Sequence, residues 1–180
     1  MGGPSVNIQR LAYSAAILLA VGAFAAACGD GGEALTLEEY FQRLDQIGDE
    51  ADQKFEALDG GPGEEASDEE IADYIDSLTR QEIVIIADFI ANLRDLDPPA
   101  EAEDVHAEAI ESGDAAAQAL QALADGIPDA LSAAEAEAFF AEPDPDVEAA
   151  FGRFDEACFA FQAVADNNNI DVDLECEEEE

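Results

Sequence analysis

The chain of 180 residues carries one histidine and three cysteines against 45 acidic side chains, so few residues can do more than carry charge. His106 closes the unit Glu103-Asp104-Val105-His106, a Glu-x-x-His of the kind that carboxylate-bridged iron bundles use twice. A single His leaves the second half of that site missing, so His106 is expected to be a packed residue on a helical seam. Ser112 cannot serve it as a nucleophile, because residues six apart on a helix point in different directions. A second pattern lies in the acidic C-terminal run. Asn167, Asn169, Asp171, Asp173, Glu175 and Glu178 fall at the 1, 3, 5, 7, 9 and 12 spacing of an EF-hand loop, with Leu174 at the apolar eighth place. Val172 stands sixth, where the loop needs Gly for its turn. Asn167, Asn169, Asp171, Asp173 and Glu178 are thus candidates of an incomplete calcium motif; no catalytic set, metal site or cofactor is expected.

Composition narrows the function classes. Six basic residues against 45 acidic ones give a formal charge of −39, which excludes nucleic acid as a partner, since phosphate binding needs clustered Lys and Arg. Tryptophan is absent and the aromatics are mostly Phe, so a base-stacking platform is not expected. At 48% apolar residues the chain can build one ordinary core.

The first residues read as an address. Residues 1–10 are polar with one positive charge, and 11–27 run as LAYSAAILLAVGAFAAA without a charged residue, the secretory pattern. The exit, Phe24-Ala25-Ala26-Ala27-Cys28 followed by Gly29-Asp30-Gly31-Gly32, resembles the bacterial lipoprotein signal, whose lipobox ends in small residues and a Cys. The resemblance implies that Cys28 receives a diacylglyceryl group and becomes the new N-terminus after cleavage. Ala25 departs from the family, which most often has Leu there. An uncleaved span is the competing reading, but this Ala-rich stretch is short and weakly apolar for one. Residues 1–27 are therefore assigned to a lipoprotein signal peptide, 28–35 to a lipidated tether, 36–176 to a helical domain and 177–180 to an acidic tail. A tether of about six residues reaches roughly 13 Å as a flexible coil, so the body is expected close to the membrane on its extracytoplasmic side.

With Cys28 lipidated outside the cytoplasm, Cys158 and Cys176 remain and are expected to form a disulfide. Closing a loop of this size contributes about 3 kcal/mol on the chain-entropy model, and it would fold Ile170, Val172 and Leu174 back against the body.

Helical periodicity fills the rest. Leu37, Phe41, Leu44, Gly48, Ala51, Phe55 and Leu58 recur in alternating steps of four and three, with Thr36 and Glu39 as a capping box. Asp59-Gly60-Gly61-Pro62-Gly63 ends that helix. Ser67 caps a second, bearing Ile71, Tyr74, Ile75, Leu78, Ile85, Phe89, Leu93 and Leu96; its run Ile83-Val84-Ile85-Ile86 predicts burial on all faces. Asp97-Pro98-Pro99 stops it and starts a third helix with the seam Ala102, His106, Ala109, Gly113, Ala116, Leu120, Leu123 and Ile127. Ser132-Ala133-Ala134-Glu135 opens a short helix, and Pro143-Asp144-Pro145 precedes a last one bearing Val147, Phe151, Phe154, Cys158, Phe161 and Ala165.

Leu96-Asp97-Pro98-Pro99-Ala100-Glu101 with His106 is similar to a pattern of small helical extracytoplasmic bacterial proteins, in which Pro-Pro joins two helices. That resemblance implies a hairpin and no activity. A bend at Pro98-Pro99 would set His106 opposite residues 88–91, making Asp88 its partner if the imidazole is charged. The expected fold is all-α: an antiparallel bundle of four long helices plus one short helix, its C-terminal tail tied back by a disulfide. The expected protein is a lipid-anchored, non-enzymatic envelope module with an unidentified envelope partner; an envelope protein binding calcium or other divalent cations through its acidic surface and tail is the alternative.

Overall fold

A computed structural model of the chain describes residues 35–58, 60–63, 65–141, 144–174 and 176. Five helices form, α1 (Leu37–Glu56), α2 (Asp68–Arg94), α3 (Glu103–Gly126), α4 (Ala133–Ala141) and α5 (Pro145–Asn167), with no strand among the described residues.

Helix starts follow the capping chemistry of the sequence. Thr36 and Ser67 each accept from the backbone N–H three residues on, while Glu39 and Glu70 reach back to the cap N–H. Those hydrogen bonds from the cap residues hold the Glu39 and Glu70 carboxyls below their usual range. Ser132 and Glu135 repeat the arrangement at α4, and Asp144 caps α5 with Pro145 at its first turn. The exception is α3, which has Ala102 at its N-cap and no side-chain cap. Pro98 and Pro99 hold the chain out of the helical region, and the Ala102 N–H donates to the Pro99 carbonyl at 2.8 Å. The helix expected to start at the prolines therefore begins only at Glu103.

α1, α2, α3 and α5 pack as the antiparallel bundle the sequence predicts. Its main core holds Tyr40, Phe41, Leu44, Ile86, Ile90, Leu93, Leu120 and Phe161, with small residues Ala109 and Ala157 between them. Burying each large side chain contributes about 1.5–3 kcal/mol before entropy is charged against it. Gly113 marks the closest approach: a Cβ there would overlap the Ile90 side chain and come within 3.4 Å of Phe154 Cε2. The two rings Phe89 and Phe154 meet edge to face at 5.8 Å beside it. A second, smaller cluster of Ile71, Ala72, Ile75 and Leu131 joins the start of α2 to α4.

The register differs from the expected hairpin. Ile90 faces Gly113, Arg94 pairs with Asp114, and Arg80 lies 3.8 Å from Asp125, so residues 88–91 look at the middle of α3 and not at His106. α2 stops at Arg94 and residues 95–102 carry the chain onward before α3 begins. The first turns of α3 thus extend past the end of α2, where the start of α1 covers them. Val84 is 58% exposed, so the Ile83–Ile86 run is buried on one side only. Phe55 is 38% exposed, because the last turns of α1 lie at the edge of the bundle. Asp88, proposed above as the histidine's partner, pairs with Lys54 of α1 at 3.0 Å.

Candidate functional site

Two places in the fold gather the residues that chemistry would use. The first is the junction of α1, α3 and α5. Tyr40 is 0% exposed and His106 is 7% exposed, and the Tyr40 hydroxyl lies 2.8 Å from His106 Nδ1. Burial pushes the Tyr40 phenol well above its ordinary value and pulls the His106 imidazole below its own, so both groups are neutral at pH 7. The phenol is the better acid of the two neutral groups, so it donates to Nδ1 and the imidazole keeps its proton on Nε2. Phe41 and Phe161 wall the pair, with Tyr40 ring centroids 5.5 Å and 6.2 Å from theirs. The arrangement fastens α1 to α3 inside the core.

Glu103, the other end of the Glu-x-x-His unit, is exposed while His106 is buried, so the two share no site. The Ser112 hydroxyl donates to the Glu108 carbonyl at 2.9 Å, a bond within its own helix. Tyr40 is the residue the sequence reading passed over. Its signal was a second row on α1, Leu37, Tyr40, Leu44, Ile47 and Ala51, in steps of three and four beside the row through Phe41.

The second place is the end of α5. Asn168 is its C-cap and Asn169 takes a left-handed conformation with φ 56°. The Asn169 N–H donates to the Asp166 carbonyl and the Ile170 N–H to the Ala165 carbonyl, the paired bonds of a Schellman turn. The chain then doubles back as an extended strap. Ile170, Val172 and Leu174 pack on the main core while Asp171 and Asp173 are exposed. Gln162 of α5 reads the strap's backbone, its Nε2 donating to the Val172 carbonyl and its Oε1 accepting from the Leu174 N–H, both at 3.0 Å. Cys158 and Cys176 close a disulfide with Cα atoms 5.7 Å apart, as the sequence reading expected.

This course separates the calcium candidates. Asn167 ends the helix, Asn169 turns, and Asp171 and Asp173 alternate along an extended run, so they do not form the closed loop of an EF-hand. Among the described residues no three His, Cys, Asp or Glu side chains are grouped so as to hold a metal ion. Glu175, Glu178, Cys28 and the segment 1–27 lie outside the described residues.

On the surface, Lys54, Arg80 and Arg94 tie α2 to α1 and α3 through Asp88, Asp125 and Asp114. These pairs are exposed, so solvent screens them and they add little to stability. An open depression beside the start of α2 is lined by Pro62, Gly63, Glu65, Ala66, Glu70, Asp73, Tyr74 and Ser77, and the Tyr74 hydroxyl there donates to the Gly60 carbonyl. No helix among the described residues is long and apolar enough to cross a membrane. Comparison of the chain with protein-family models, curated proteins and solved structures finds no match.

Proposed function

We propose that the protein is a lipid-anchored component of a bacterial cell envelope, held on the extracytoplasmic side by Cys28 and presenting its helical body as a non-enzymatic binding or structural module. The observation that supports the compartment is the Cys158–Cys176 disulfide, because such bonds persist where thiols are kept oxidised. It uses two of the three cysteines and leaves Cys28, at the end of its apolar run, for the lipid. Two or three acyl chains, each CH₂ contributing about 0.8 kcal/mol, make a stable anchor. The acidic body then stands off anionic headgroups by charge repulsion. The non-enzymatic reading rests on the Tyr40–His106 pair, whose hydroxyl and Nδ1 face each other inside the core and join two helices.

Mass spectrometry of the membrane fraction from a bacterial host tests this reading. A mature N-terminus at Cys28 carrying diacylglycerol is expected. A Cys28→Ala protein that stays uncleaved and membrane-bound would instead favour a transmembrane helix.

Cation binding through the acidic surface and tail is the second reading, favoured by the 45 acidic residues set against six basic ones. Calorimetric titration with calcium, on the full chain and on a chain lacking residues 177–180, tests it; heat that is lost without those residues supports this reading.

A further inference from the structure

The strap is fastened differently from every other part of the fold. Among the described residues its backbone is tied to α5 by the Schellman turn at one end and Gln162 in the middle, with the disulfide at the other end, and the Val172 N–H donates to the Ile170 carbonyl within the strap. Its apolar side chains, Ile170, Val172 and Leu174, are half-buried, whereas the bundle's own large side chains Tyr40, Phe41, Ile90 and Leu93 are buried completely. Cys158 and Cys176 are themselves half-buried, so neither residue is sealed inside the core.

We propose that the Cys158–Cys176 disulfide is a reversible latch, whose reduction releases the strap from α5 and bares the helix face beside Gln162 while the bundle stays folded. The reductant is a dithiol. Its thiolate attacks one of the two sulfurs, forming a mixed disulfide and expelling the other cysteine as a thiolate that takes up a proton. The second thiolate of the reductant then attacks the mixed disulfide, freeing the remaining cysteine and closing the reductant's own disulfide. Two electrons pass from the dithiol to the cystine and nothing else changes oxidation state. Once the bond is open, the C-terminal end of the strap keeps its two hydrogen bonds to Gln162 and its partial burial, set against the ordering entropy of its residues. The bundle keeps the Tyr40–His106 bond and the buried core residues carried by its helices, against which the strap's side chains pack from outside.

Hydrogen exchange by NMR on the full chain, with and without dithiothreitol, tests the latch, and alkylation of both cysteines verifies that the bond is open. The Leu174 amide is the reporter, because its bond to Gln162 exists only while the strap is docked. Reduction is expected to speed its exchange about a hundredfold, with the amides of Ile90, Leu120 and Phe161 unchanged. The Cys158→Ser/Cys176→Ser variant should reproduce the reduced pattern without reductant, and reoxidation of the wild type should restore protection. Unchanged protection of Leu174 after reduction overturns the proposal. So does simultaneous loss at Phe161 and Leu120, which would make the disulfide a brace of the whole body.

Discussion

Tyr40 and His106, 66 positions apart in the chain, share a buried hydrogen bond of 2.8 Å that joins the first turns of α1 to the first turns of α3. The bond explains why a lone histidine can sit in this core. Its Nδ1 is satisfied by a phenol, and the surrounding burial keeps it uncharged.

Removing that phenol should therefore cost more than its size suggests. Tyr40→Phe keeps the ring but leaves Nδ1 without a donor, and a loss of about 1–3 kcal/mol is expected in urea denaturation. A cost indistinguishable from zero would show that water replaces the hydroxyl.

The pH dependence has a definite sign. The folded imidazole titrates below its unfolded value because burial disfavours the cation. Its contribution is complete above the unfolded pKa of about 6.5 and is lost as pH falls through the folded value. An NMR titration of this single imidazole should place its midpoint below about 6.5. Glu82 works in the opposite sense: burial raises its carboxyl, so protonation of Glu82 on acidification relieves the fold. The Glu82→Gln variant should be more stable than wild type at neutral pH and should lose that advantage in acid, as urea melts across pH will show.

Gly113→Ala tests the helix contact. The added methyl would overlap Ile90, itself only 1% exposed and unable to move aside freely. A loss of about 1–3 kcal/mol is expected, and Ile90→Ala in the same chain should recover part of it. Strict additivity of the two changes in a double-mutant cycle would deny the contact.

Salt should stabilise the body. With a formal charge of −39, self-repulsion opposes the compact state, and screening within about 10 Å at 0.1 M relieves it. A rise in Tm of about 5 °C between low salt and 1 M sodium chloride is expected. A fall would mean that the exposed pairs of Lys54, Arg80 and Arg94 outweigh the acid surplus.

Local chemistry was legible in the sequence wherever neighbours along the chain decide the outcome. Thr36 with Glu39 and Ser67 with Glu70 set two helix starts, because a cap and its partner lie within one turn. The small residues Ala109, Gly113 and Ala116 marked the close face of α3, and the cysteine pair marked where the tail returns. Alternation of Ile170, Val172 and Leu174 with acids already described a strap with one apolar side. Tertiary structure decided what lies across helices. The stagger of α2 against α3 turns on how far residues 95–102 carry the chain beyond Arg94, which no periodicity records. That stagger moved His106 away from Asp88 and under α1, and it made Tyr40 its partner. It also left Val84 of an apolar run in solvent, since a helix face is buried only where a neighbour reaches it.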